Sequence, residues 1–379
     1  MYIRYLIIVL AGIISQNLSG QDASGNKTFY KRFEGNISGN INVTANLIRL
    51  FDNVSGNYIY YFMDDNNEMY YGKTVELDGV IDENDSLKLR EYGSEEFTFE
   101  GLIDDDHYEG KWDSGDQKFL DFDMREYYPK GSLPFELYYL KSEETLNKES
   151  KDSPTAQIEL SLVFPKDHYF DPAIVDSVSN IITKTYFGSG FKRDEAEAML
   201  ENFEDEYFTN YKKQAKTGNN YSGQSAFNWE KQLNMSIVYN SRYLLCSEYV
   251  KYAYAGGAHG MSNLSYDIID LKSGVKLSYP DIFKPGSDSV LGQIITDQLR
   301  FNYKIPDELS LKEAGFFVES IKPNNNLFIN GEGIGFVYNS YEIAPYSRGA
   351  TRILLSFGKI KDLIVVGSPA YQLSHRPRD

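Results

Sequence analysis

Three glycines and a histidine crowd one short stretch of this 379-residue chain, Gly256-Gly257-Ala258-His259-Gly260. An imidazole can ligate a metal, move a proton or pin a loop by hydrogen bonding. The glycines around it allow positive φ or the close approach of another backbone. Metal binding and acid–base work both need partners, and His107, His168 and His375 lie on other segments at no metal-ligand spacing. Spacing alone therefore favours a histidine that holds its own turn, with the turn as the best place for a shallow pocket.

A second stretch, Tyr341-Glu342-Ile343-Ala344-Pro345-Tyr346, puts two tyrosines, a carboxylate and a proline into a loop between strands. Rigid amphipathic rings of this kind suit a recognition patch, and Glu342 would complement a basic partner. The same tyrosines could equally roof a core while Pro345 fixes the loop. The binding residues expected are Gly256, Gly257, His259, Tyr341, Glu342, Pro345 and Tyr346, with no catalytic residue, metal or cofactor.

Other chemistries lack their signatures. There is no Gly-x-Ser-x-Gly, and Ser356-Phe357-Gly358-Lys359 matches Ser-x-x-Lys without the companion motifs of penicillin-binding enzymes. Asp104-Asp105-Asp106 lacks the interleaved spacing and distal glutamate of a calcium loop and reads as a solvated turn. Cys246 is the single cysteine, so no internal disulfide is possible, and its apolar surroundings mark it as a buried small side chain.

The elements that must position these loops are strand-rich. The chain has 31 Tyr and 23 Phe against 2 Trp, a composition that suits half-buried antiparallel strands. The net charge of −17 argues against nucleic acid or an anionic membrane surface as partner and allows a cationic one. Residues 1–20 read as a signal peptide. Arg4 precedes an apolar run from Tyr5 to Ile14, with small residues at Ser19 and Gly20, so cleavage is expected near Gln21 and the protein is expected to be exported, periplasmic or extracellular. No cysteine follows that run to carry a lipid anchor, and no later stretch approaches the ~20 apolar residues of a membrane span.

From about Phe29 to Leu140 an apolar-x-Gly-x-apolar pattern recurs at Gly35, Gly79 and Gly101, with a looser copy at Gly56. The period of about 22 residues predicts one β-hairpin per repeat. Some eight strands result, either an open antiparallel meander or a small barrel, over residues 21–145. Charged residues from Lys141 to Ser153 read as a linker. An α+β module with an antiparallel sheet and packed helices follows. Its strands are expected at Ile158–Phe164, Leu233–Tyr239, Tyr243–Ala255, Leu327–Ile329, Ile334–Tyr338 and Thr351–Phe357. Helices are expected after Asp171-Pro172, over Ala196–Tyr211, over Val290–Leu299 and as a short turn over Lys359–Val365.

Two local patterns resemble a known family. The glycine–histidine turn followed by Asp270-Leu-Lys-Ser-Gly274 and Asp281-Ile-Phe283 is one; Gly335-Phe-Val-Tyr338 leading to Tyr341–Tyr346 and Gly349 is the other. Together they look like the domain of unknown function that ends the lysozyme-sensing anti-sigma factor RsiV. The region Ala156–Ala255 is similar to its usual partner, the N-terminal domain of the peptidoglycan deacetylase PdaC. The expected units are thus 155–255, PdaC-like, and 256–370, RsiV-like. The resemblance implies recognition of a cationic, glycan-cleaving protein; the chain lacks both the sigma-binding segment and the deacetylase catalytic domain, so neither of those activities is implied. The expectation is an exported, non-enzymatic protein that binds a cell-wall glycan or a lysozyme-like basic protein. The competing expectations are a glycan-modifying enzyme centred on His259, which would need paired carboxylates or a metal there, and a purely structural interaction module.

Overall fold

The computed structural model describes residues 28–64, 69–94, 97–115, 118–166, 170–217 and 227–375. Residues 1–20, expected as a signal peptide, His168 and most of the polar stretch 216–223 lie outside them.

Eight antiparallel strands open the fold: β1 (Thr28–Ile37), β2 (Ile41–Leu50), β3 (Asn53–Met63), β4 (Met69–Ile81), β5 (Ser86–Glu91), β6 (Phe97–Ile103), β7 (His107–Ser114) and β8 (Phe119–Glu126). They close into a barrel through β1–β8 pairing from Phe33↔Glu126 to Ile37↔Phe122. Inward residues alternate with solvated ones along each strand, and Phe33, Leu47, Leu89, Phe99 and Tyr108 fill the interior. The core among Val43, Leu47, Tyr58 and Phe99 leaves no room for a ligand.

The recurring glycines are where strands bend against each other. A Cβ on Gly35, Gly79 or Gly101 would lie 1.9 Å from the carbonyl oxygen of Asp123, Lys88 or Glu109 respectively. Only glycine permits that curvature in so small a barrel. The period does not count hairpins as expected: Gly35, Gly56, Gly79 and Gly101 fall on β1, β3, β4 and β6, because β3 and β4 are long strands that each take up more chain.

A six-stranded sheet follows, in the order β14-β13-β12-β11-β10-β9. Its strands are β9 (Phe135–Thr145), β10 (Thr155–Pro165), β11 (Glu230–Ser241), β12 (Leu244–Tyr254), β13 (Met261–Asp270) and β14 (Val275–Leu277). Residues 141–145 were expected in a linker, yet they belong to β9, paired with β10 from Thr145↔Thr155 to Phe135↔Pro165. The charges there decorate an edge strand, where Lys and Glu are common protection against further pairing. The sheet is also not purely antiparallel: β10 and β11 are parallel, joined through helices α1 (Pro172–Phe187) and α2 (Ala196–Thr217). Asp171 caps α1, its side chain accepting from Ala173 N, and Gly188 follows its end.

One face of this sheet packs against α1 and α2 through Val178, Ile182, Met199 and Tyr211. The other carries a three-stranded sheet, β15 (Leu327–Ile329), β16 (Gly333–Tyr338) and β17 (Thr351–Ser356), with α3 (Tyr279–Ile282) and α4 (Asp288–Tyr303) and the short helices α5 (Phe357–Ile360) and α6 (Pro369–Ser374). The segments expected as separate units on either side of Ala255 therefore share one sheet, since β12 and β13 pair directly. The architecture is α+β, with an all-β barrel in front. No helix among the described residues is long and apolar enough to cross a membrane.

Candidate functional site

The turn between β12 and β13 carries the glycine–histidine stretch. Gly256 and Gly257 have φ of 92° and 104°, a conformation that side-chain-bearing residues rarely adopt. Gly260 is needed for a different reason: the Tyr252 ring lies so close that a Cβ there would be 2.3 Å from its hydroxyl. The Tyr254 hydroxyl donates to Gly257 O at 3.0 Å and braces the turn from the strand below.

The tyrosine–proline loop leaves β16 and is fastened to β13. Strand β14 covers only residues 268–270 of β13, which leaves the backbone of Leu264 without a strand partner on that edge. Asn339 takes its place, its amide accepting from Leu264 N at 2.8 Å and donating to Leu264 O at 3.0 Å. Asn326 donates to the same carbonyl at 2.9 Å. Beyond Asn339 the chain folds tightly, Tyr341 at φ 71° and Tyr341 N donating to Ala344 O. Pro345 starts a short 3-10 turn, and Arg348 holds its far side by donating to Ala314 O and lying 4.5 Å from the Phe316 ring centroid.

These two anchored loops bring three rings together. The His259 and Tyr346 rings stack at 4.0 Å between centroids and 21° between planes; Tyr341 and Tyr346 stack at 5.9 Å and 27°. The Tyr346 hydroxyl donates to Gly260 O at 2.9 Å, so the far loop bonds to the turn's own backbone. His259 Nδ1 lies 3.0 Å from the same carbonyl, which assigns the ring proton to Nδ1. Nε2 is then left to accept from the Tyr341 hydroxyl, 3.4 Å away. His259 and Tyr341 are exposed, and Tyr346, which stacks with both, is half-buried.

Of the residues expected from sequence, Gly256, Gly257, His259, Tyr341, Pro345 and Tyr346 thus sit at one rim. Glu342 is exposed on the same loop, its backbone N–H donating to Asn339 O. Sequence reasoning missed Asn339 and Arg348, which position the loop; a lone asparagine after a strand carries no signal of its own. It also missed His107, expected to be isolated. The barrel places it beside Glu109 and Asp123, with Nε2 3.2 Å from Asp123 Oδ2 and 3.8 Å from Glu109 Oε2.

Comparison with known proteins finds two matched segments, whose bounds differ from the expected 155–255 and 256–370. Residues 142–262 match the family model described as Deacetylase PdaC, and residues 280–358 match that of a protein of unknown function, DUF3298. The chain thus has a PdaC-like plus DUF3298 architecture. The PdaC match runs through the whole glycine–histidine turn, and the DUF3298 match contains the tyrosine–proline loop. The chain is 25% identical over 236 residues to the peptidoglycan-N-acetylmuramic acid deacetylase PdaC of Bacillus subtilis, covering 61% of this chain and 46% of that one. It therefore spans less than half of that relative's length. The crystal structure of a DUF3298-family member from Bacteroides fragilis superposes with a TM-score of 0.59 at 21% identity, over 65% of this chain and 99% of its own. The likeness is one of fold. A DUF3298-family structure from Pseudomonas aeruginosa gives a TM-score of 0.43 at 15% identity, over 62% of this chain and 95% of its own.

Proposed function

We propose, from the premise that this chain joins a PdaC-like segment to a DUF3298 segment, that it is an exported, non-catalytic binding protein for cell-wall glycan. The observation that carries this is the His259–Tyr346–Tyr341 stack at an exposed rim. A pyranose ring offers one C–H face and a polar edge. Exposed aromatic faces take the first, and neighbouring carbonyl, hydroxyl and carboxylate groups take the second. The deacetylase relative acts on peptidoglycan by its name, which supports the substrate class and an envelope location.

The surroundings of His259 support binding over catalysis. It contacts a backbone carbonyl and two tyrosines, and among the described residues no carboxylate or metal-ligand set is arranged about it. A general base would need an orienting acid or a reacting atom within hydrogen-bond reach. A lysozyme-like basic protein is the second reading, favoured by the net charge of −17 and by Glu342 on the loop. Rim charges of this kind act on association rate and salt dependence.

The test is co-sedimentation of the full chain with purified peptidoglycan, and in parallel capture by immobilised lysozyme over a salt series. Retention on peptidoglycan that is weakened in His259→Ala and Tyr341→Ala supports the glycan reading. Capture by lysozyme that fades with salt supports the second. Retention identical in parent and variants would remove the site assignment.

A further inference from the structure

We propose that His107, Glu109 and Asp123 form a site for a divalent transition-metal ion, zinc foremost, on the outer wall of the barrel. Strand geometry brings the three together. His107 and Glu109 are alternate residues of β7 and point to the same face, and Asp123 is paired directly with Glu109 across β7–β8. One ligand atom from each lies within 4.8 Å of the others.

Two features make this more than a surface ion pair. Glu109 and Asp123 are like charges placed directly opposite, an arrangement that destabilises a sheet unless a cation compensates. Among the described residues neither has a lysine or arginine ion-pair partner; Lys111, the next outward residue of β7, is taken up by Asp121. Among the described residues their one ion-pair partner is His107. The His107 side chain is only 16% exposed, and its Nε2 atom is buried without a hydrogen bond although it faces both carboxylates. The His107 ring nitrogen is thus enclosed beside two carboxylates that, among the described residues, no lysine or arginine pairs with.

The distances suit such a centre. Ligands about 2.1 Å from a tetrahedral zinc stand about 3.4 Å from one another. The observed 3.2 Å and 3.8 Å bracket that value, so binding needs only side-chain adjustment. One nitrogen and two carboxylate oxygens select zinc-like ions over magnesium or calcium, which take oxygen sets. Three protein ligands leave further positions open to water or to an anionic group of a partner.

The experiment uses the full chain without a histidine tag, stripped with a chelator and dialysed. Calorimetric titration with zinc chloride is expected to give one site per chain, to raise the melting temperature, and to have no counterpart with magnesium or calcium chloride. His107→Gln and Glu109→Gln are each expected to lower zinc affinity by at least about tenfold, the smaller end of what losing even an outer-shell partner costs. Glu109 is exposed, so Glu109→Gln leaves the fold intact and keeps the test decisive if His107→Gln unfolds. No zinc uptake by the parent overturns the proposal. So does uptake unchanged in Glu109→Gln, which would place the ion elsewhere, or a calcium response exceeding that of zinc, which would point to the neighbouring Asp104–Asp106 turn.

Discussion

Replacing Arg32 by methionine should loosen the joint between the barrel and the six-stranded sheet. Arg32 lies on β1 and is 1% exposed, an unusual burial for a guanidinium. Its Nε donates to Asn240 O at 3.0 Å, Nη1 to Tyr127 O at 2.6 Å and Nη2 to Glu34 Oε1 at 2.6 Å. Asn240 is also the residue that receives the connecting segment, accepting from Leu133 N and donating to Leu133 O. Removing one partner of a buried charged network costs about 3–5 kcal/mol. The lower end applies here. Asn240 O keeps the Ser132 hydroxyl as a donor at 2.9 Å, Glu34 is exposed enough to be rehydrated, and methionine fills most of the volume. With a urea slope of about 3 kcal/mol/M, a loss of about 3 kcal/mol moves the midpoint by about 1 M. The protein carries its own assay, because Trp112 reports on the barrel and Trp229 on the sheet module. Single-tryptophan versions should unfold together in the parent and separate in Arg32→Met, the barrel probe first. A midpoint shift below about 0.3 M with coincident probes would refute the argument that Arg32 fastens the two parts.

Three further outcomes follow. Gly35→Ala puts a methyl 1.9 Å from Asp123 O and 2.6 Å from Met124 Cα, at the β1–β8 closure; near-ultraviolet circular dichroism should show the barrel's aromatic signal weakened, with a stability loss of about 2 kcal/mol or more. Burial pushes the Cys246 thiol well above its ordinary range, so native protein should not react with a thiol reagent at pH 8, and labelling should follow the denaturant unfolding curve. The Asp281 carboxyl is held below the usual carboxylate range by the Ser278 hydroxyl and backbone N–H. A depressed acid contributes stability above its unfolded value of about 4 and loses it as pH falls through the folded value; in Ser278→Ala, melting temperature should fall less steeply over that acid range than in the parent.

Where the sequence was legible, a local rule and the tertiary fold agreed. Asp171-Pro172 and Gly188 bound α1 as capping chemistry requires, and the alternation in 158–164 is β10. The two loops around His259 and Tyr346 were singled out on residue type, and they prove to touch, although nothing in spacing along the chain brings residues so far apart together. That contact depends on Asn339 filling an uncovered strand edge, a property of pairing across the sheet. The charged run at 141–145 misled for a related reason: edge strands and linkers carry the same residues, and the hydrogen bonds of β9 to β10 are invisible in composition. The parallel β10–β11 pair also has no local mark, since a crossover is a matter of topology. The grouping of His107, Glu109 and Asp123 was missed, because the aspartate reaches the other two only through strand register.

A ring stack that serves as a receptor surface must bind the glycan itself, which a calorimetric titration of the parent and Tyr341→Ala with a soluble disaccharide-peptide from peptidoglycan measures. Tyr341 is exposed and its ring stacks with that of Tyr346. Loss of that ring is expected to weaken binding by about tenfold, equivalent to about 1.4 kcal/mol, with the melting temperature unchanged. Equal affinity in the two proteins, or no binding by the parent, would show that the ring stack is not a glycan receptor.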